Sequence, residues 1–318
     1  MTRVRMAAVA EPVGDITAAL GEGPYWVPEA SFLMWVDIRR GLLHRTYVPS
    51  GATVTHELGE VSAAFPALGG GILTVGGSRL TLRAPMLSAP TTSAPTTSAP
   101  TTFAQEGGAT RTVAEIPARD GVRFNDAAVD HAGRVWAGSM HTGESEPLGG
   151  LYRLDAGGTL TSLLKGVTVS NGISWSPDGS RMYYTDSPTR RLDMFDYDQA
   201  TGEAFQRRVF ADLSRVEGVP DGLTVDADGF VWVAMRGGGV LRRFTPGGQQ
   251  DAVLPVPVSQ PTSCAFGGPG LTDLYVTTAS LGLSDSQRAA EPLAGRLLRI
   301  QPGPVGLPST TAEATIPS

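Results

Sequence analysis

The stretch Val219-Pro220-Asp221-Gly222-Leu223-Thr224-Val225-Asp226-Ala227-Asp228-Gly229-Phe230-Val231-Trp232-Val233-Ala234 decides how the rest of the chain is read. Apolar residues alternate on both sides of Asp228-Gly229. Glycine takes the positive φ that a hairpin turn needs, so the stretch predicts a strand, a tight turn and a second strand. Asp221 stands where the first strand opens.

Three other stretches follow the same plan. Asn171-Gly172-Ile173-Ser174-Trp175 leads to Asp178-Gly179 and Met182-Tyr183-Tyr184, and Asn125-Asp126-Ala127-Ala128-Val129 leads to Gly133 and Val135-Trp136-Ala137. Glu22-Gly23-Pro24-Tyr25-Trp26 leads into Phe32-Leu33-Met34-Trp35-Val36. Each opens with a carboxylate or an amide, and where a turn glycine follows it falls at the same distance. Weaker copies begin at Ser62-Ala63 and at Thr262-Ser263-Cys264-Ala265-Phe266, which makes six units.

Repeats of roughly 40 to 50 residues with about four strands each mark a β-propeller. A helical solenoid would need helix-spaced apolar residues, and the chain has none. The expectation is an all-β, six-bladed β-propeller forming a single domain over residues 1–318. The first strand of each blade lines the central channel. Glu22, Asn125, Asn171 and Asp221 therefore converge at one mouth, with Ser62 or Ala63 and Ser263 in the remaining two places.

From about residue 84 to 107 the repeat is interrupted by tandem Thr-Thr-Ser-Ala-Pro. Such sequence buries too little apolar area to offset its ordering entropy. The propeller pattern resumes beyond it, so it is expected to be a flexible surface insertion between strands.

Composition narrows the function classes. The 318 residues carry a net charge of −6 and a pI of about 5.3, with lysine and arginine scattered, which argues against a nucleic-acid partner. One cysteine, Cys264, excludes an intramolecular disulfide and a thiolate metal cage. No stretch has the apolar length of a signal peptide core or a membrane span, so cytoplasmic residence with no membrane partner is expected. The expected assembly state is a monomer or weak oligomer.

Asn125 and Asn171 are the only asparagines in the chain, and both hold the strand-opening position while the turns use Asp and Gly. A lone Asn-Gly or Asp-Gly is ordinarily a turn or a cap; the shared register gives the set its weight. One glutamate, one aspartate and asparagine carbonyls make an all-oxygen set suited to Ca²⁺, Mg²⁺ or Mn²⁺, with Zn²⁺ less natural. Serine-hydrolase elbow, Walker, His-Glu-x-x-His and dinucleotide motifs are absent. His44, His56, His131 and His141 share no spacing; His141, at a strand end, is the one candidate for the channel mouth. Trp26, Trp35, Trp136, Trp175 and Trp232 recur with the strands and are expected to pack blades together.

The elements Leu20-Gly21-Glu22-Gly23-Pro24, Arg123-Phe124-Asn125-Asp126, Gly138-Ser139-Met140, Ser170-Asn171-Gly172, Pro220-Asp221-Gly222 and Thr262-Ser263-Cys264-Ala265-Phe266-Gly267-Gly268 span nearly the whole chain. In that order they resemble the senescence-marker-protein/gluconolactonase/luciferin-regenerating family of regucalcin-like sugar lactonases. The resemblance implies a six-bladed propeller holding one divalent cation, calcium first, through Glu22, Asn171 and Asp221. It also implies substrate contacts from Arg123 and Asn125, and an acid/base role for Asp221. Many members carry an acidic substrate contact shortly after the Gly-x-Met strand. Here His141-Thr142-Gly143-Glu144 stands there, with Glu144 displaced. The expected function is a divalent-metal-dependent hydrolase of small cyclic esters, sugar lactones first. A phosphotriester hydrolase on the same metal site and a non-catalytic calcium-binding propeller are the alternatives.

Overall fold

The computed structural model describes residues 4–5, 9–85, 101–103 and 109–314. The opening stretch forms the expected hairpin: Val219–Val225 pairs antiparallel with Val231–Arg236, and Gly229 takes φ +81° in the turn. Val240–Phe244 and Gln250–Pro255 complete that sheet outward. Six sheets are built this way, and their innermost strands are Gly21–Val27, Ala63–Pro66, Val122–Val129, Ser170–Trp175, Val219–Val225 and Pro261–Gly267. Neighbouring innermost strands touch around a closed ring, the last against the first. The molecule is a six-bladed β-propeller.

Ring closure uses a part of the chain that the repeat pattern does not reveal. The sixth blade takes its outermost strand, Glu11–Pro12, from the N-terminal segment, where it pairs with Leu298–Ile300. Chain start and chain end are thereby joined in one sheet. Val4–Arg5 adds a parallel strand to the fifth blade. Most of the Thr/Ser/Ala/Pro insertion lies outside the described residues; within it, Thr101–Phe103 adds a parallel strand beside Thr53–Glu57 at the rim of the first blade.

The core is divided as the ring is. Among the described residues six apolar clusters form, one at each contact between neighbouring blades. All five tryptophans are buried, and Trp136 meets Trp175 edge-on across a blade boundary with centroids 5.9 Å apart. Among the described residues no helix is long and apolar enough to cross a membrane.

Two buried aspartates fasten the hairpins. Asp226 accepts from the Asp228 and Phe230 N–H groups at 3.1 and 2.9 Å, from Trp232 Nε1 at 2.9 Å and from Arg243 at 2.7 Å. Asp130 makes the corresponding set with Ala132, Arg134, Trp136 and Tyr197. These carboxylates are fully committed to their hairpins.

The end of the chain crosses the channel's far side. Val305 accepts from Ala227, Thr310 accepts from the Tyr25 hydroxyl at 2.6 Å, and Ala312 exchanges backbone bonds with Pro66 and Leu68. A small cavity of about 150 Å³ between this segment and the ring is lined by Tyr25, Asp126, Ile173 and Leu223.

Candidate functional site

Each site residue sits on an irregularity in its innermost strand. The pairing register slips between Glu22 and Tyr25, between Phe124 and Ala127, between Asn171 and Ile173, and between Pro220 and Leu223. A bulge turns a side chain out of the pleat, which is how these strands aim polar groups at the axis. The glycines that follow serve close packing. A Cβ on Gly172 would lie 2.7 Å from the Asp221 carbonyl oxygen, and one on Gly222 would lie 2.1 Å from Ser263 Oγ. Asn171-Gly172 and Asp221-Gly222 are thus points where blades crowd the axis.

The structure brings Glu22, Asn125, Asn171 and Asp221 together, all of them buried. Arg123 Nη1 donates to Asn125 Oδ1 at 2.9 Å and to the Phe124 carbonyl at 2.8 Å. Asn125 Nδ2 donates to Asn171 Oδ1 at 2.7 Å and to the Ser170 carbonyl at 2.9 Å. Asn171 Nδ2 donates to Ser187 Oγ at 2.8 Å, and that hydroxyl donates to the Pro220 carbonyl at 2.6 Å. The chain of bonds runs from the third blade to the fifth and ends one residue before Asp221.

Asp221 Oδ1 is buried and has no hydrogen-bond partner among the described residues. Burial raises Asp221 to about 7 against the pull of the Arg236 guanidinium, and the charges of Asp126 and Glu144 add to the rise. Glu22 is held well above the usual carboxylate range by burial and then by Asp221 and Asp126, with a single 3.3 Å bond from the Gly23 N–H opposing this. Asp126 is raised by burial to about 6. Its residual exposure faces the small channel cavity.

Among the described residues no three acidic, imidazole or thiol side chains gather in metal-binding geometry. The candidate set has two such groups, Glu22 and Asp221, and draws its third oxygen from an amide. Two buried carboxylates that disfavour each other's charge, one with an unpartnered oxygen, fit a hard cation by the chemistry of their donors.

The remaining candidates divide. Glu144, in the left-handed region at φ +57°, lies near enough that its charge acts on both Arg123 and Asp221. His141 turns into its own loop, where Nδ1 accepts from the Gly143 N–H at 3.2 Å and lies 3.9 Å from Glu146 Oε1. A cavity of about 450 Å³ opens at the mouth beside Arg123, with Arg39, Glu60, Ser62 and Thr142 in its walls.

Two further aspartates position the site and escaped the sequence reading. Asp37 accepts from the Ala19 and Leu20 N–H groups at 2.8 and 3.2 Å, and Asp186 accepts from Thr168 and Val169 at 3.1 and 2.9 Å. Each closes the second strand of its blade and clamps the segment entering the first, just ahead of Glu22 or Asn171. The recurrence of Trp35-Val36-Asp37 and Tyr184-Thr185-Asp186 was the available signal.

Comparison with known proteins gives the family and the fold. Residues 20–280 match the family model described as SMP-30/Gluconolactonase/LRE-like region. The chain is 33% identical over 318 aligned residues to the pentonolactonase XacC of Haloferax volcanii, covering 96% of this chain and 98% of that protein. It is 32% identical to the L-arabinolactonase of Azospirillum brasilense over 99% of both chains. Among solved structures, the calcium-binding protein regucalcin from Agrobacterium tumefaciens superposes with a TM-score of 0.86 at 27% identity, covering 98% of this chain and 99% of that one.

Proposed function

Because the chain belongs to the SMP-30/gluconolactonase/LRE-like family, we propose that it is a divalent-metal-dependent hydrolase that opens sugar lactones, calcium being the first candidate cation. The observation that carries the reading is Asp221 Oδ1, buried at the channel axis without a partner among the described residues and next in space to Glu22. Glu22, Asn171 and Asp221 would hold the cation. When bound there, a divalent ion supplies Lewis-acid polarisation of the lactone carbonyl and acidification of water.

The protein's own groups divide the remaining work. Asp221 accepts a proton from the attacking water as the new carbon–oxygen bond forms, and returns it to the ring oxygen as the ester bond breaks. Arg123 engages Asn125 and Phe124 through Nη1, so Nη2 and Nε are available to orient hydroxyls or to meet developing negative charge. Asn125, expected as a substrate contact, is committed first to Arg123 and Asn171. It acts chiefly by fixing the Asn171 carbonyl.

The test is to remove divalent cations with a chelator and follow lactone opening at fixed pH, then restore calcium. Loss and recovery of turnover are expected. Undiminished turnover in metal-free protein would falsify the mechanism. Running a phosphotriester substrate in parallel separates the other hydrolase reading. A second reading, calcium binding without catalysis, draws support from the calcium-binding regucalcin that superposes on this chain; it requires that no lactone be opened by calcium-loaded protein.

A further inference from the structure

The lactonase reading is the premise here, and the mouth of the channel narrows its substrate. The 450 Å³ cavity holds guanidinium groups from two blades, Arg39 following the second strand of the first blade and Arg123 on the innermost strand of the third. Arg39 is exposed and makes no hydrogen bond or ion pair with any described residue. Its neighbour Arg40 contrasts with it, being tied to Asp37 at 3.1 Å and to the Thr17 carbonyl at 2.6 Å. Arg123 is half-buried and spends one nitrogen on an amide and a carbonyl; among the described residues it has no carboxylate at ion-pairing distance.

Burial disfavours the Arg123 cation, and the charge of Arg39 disfavours it further; Glu144, Glu22 and Glu60 act the other way from beyond contact distance. Arg39 and Arg123 face one cavity whose walls carry one carboxylate, Glu60, and among the described residues it lies at ion-pairing distance from neither. Planar guanidinium groups hold carboxylate or phosphate oxygens through paired N–H donors, with charge-assisted bonds about twice as strong as neutral ones. A neutral sugar ring offers them hydroxyl acceptors only, without the opposite charge. The volume lies within the range of ordinary small-molecule sites, about 300–1,000 Å³.

We propose that the substrate is an anionic sugar lactone, its carboxylate or phosphate group held between Arg39 and Arg123 while the ester end faces Asp221. The calcium-loaded protein should be assayed on neutral aldonolactones, on a lactone bearing a free carboxylate and on one bearing a phosphate. Wild type should favour one of the anionic lactones by at least about tenfold in kcat/KM, and the favoured one names the anion. Arg39→Gln should raise KM for that lactone about tenfold more than for the neutral ones, with kcat changing alike for both, and Arg39→Lys should recover part of the preference. The preference should also weaken as salt rises. Equal or better turnover of neutral lactones, or an Arg39→Gln effect that is the same on both kinds, overturns this inference alone. If neither kind is opened, the lactonase reading falls and this inference with it.

Discussion

Asn125 donates from Nδ2 to Asn171 Oδ1 at 2.7 Å, joining the third blade to the fourth at the channel axis. The direction of this bond follows from its neighbours. A guanidinium can only donate, so Arg123 fixes the Asn125 carbonyl toward itself and turns the amide nitrogen to Asn171. Asn171 must then present Nδ2 to Ser187, whose hydroxyl passes its hydrogen to the Pro220 carbonyl. The carbonyl proposed as a cation ligand is therefore oriented from both sides, which is why asparagine is used at both positions.

Ser187→Ala should break this relay. The Asn171 amide loses its acceptor and the Pro220 carbonyl its donor, in a buried setting where an unsatisfied group costs about 1–3 kcal/mol. Outer-shell partners of this kind commonly contribute about 10–100-fold to metal affinity. We expect a lower unfolding midpoint and calcium binding weakened by at least about tenfold, measured by calorimetry. Unchanged calcium affinity would place Asn171 outside the cation's shell.

Asp221→Asn keeps the shape and removes the charge. Ionised Asp221 is buried with an oxygen that has no partner among the described residues, so the metal-free variant should unfold at a higher temperature than metal-free wild type at pH 8. The rise in midpoint that calcium gives to wild type should vanish, and lactone opening should fall by about 10²–10⁴-fold, the range for removal of a general base. Paired thermal melts and initial rates check both halves. A metal-free variant less stable than wild type would mean that Asp221 has a structural partner.

Much of this architecture was legible because its cause is local. The hairpin at Asp228-Gly229 is written in alternation and a turn glycine, and its register copies counted the blades. The convergence of Glu22, Asn125, Asn171 and Asp221 followed from repeat position alone. What stayed hidden depends on contacts between distant segments. Glu11–Pro12 is too short to show strand periodicity and gains its partner only when the ring closes. The Thr310 contact with Tyr25 likewise exists only across the finished channel. The crowding at the axis around Gly172 and Gly222 has no signature in a single sequence.

Acid should weaken the first blade in a traceable way. His44 is buried against Trp35, with ring centroids 4.4 Å apart, and burial lowers it to about 4. His56, also lowered to about 4 by burial and then by Arg45, lies with Nε2 2.9 Å from an Arg45 nitrogen and so must accept there. The folded pKa values are below the ordinary 6.5, so the stabilisation is complete above pH 6.5 and is lost as pH falls toward 4. His44→Gln, which cannot titrate, should lose less stability over that interval, by on the order of 2–3 kcal/mol. Urea unfolding at pH 7, 5.5 and 4 measures the difference. Parallel curves for variant and wild type would exclude His44 as the titrating group.

The insertion should be dispensable. Arg79–Arg83 and Thr110–Glu115 pair antiparallel as the outer half of the second blade, and the Ala84 N–H still reaches the Ala109 carbonyl at 3.0 Å. The ends of the inserted segment are therefore as close as the ends of a hairpin loop. Shortening a loop changes closure entropy only slowly, by about 0.6 kcal/mol for each halving of length. We propose that the ring folds as one domain without this segment, and that replacing residues 86–107 with a short Gly/Asn turn leaves a single cooperative transition within a few degrees of the wild-type midpoint. The rim strand Thr101–Phe103 would be lost, at an outer edge away from the channel. Two separate transitions, or a large fall in midpoint, would show that the segment carries core contacts.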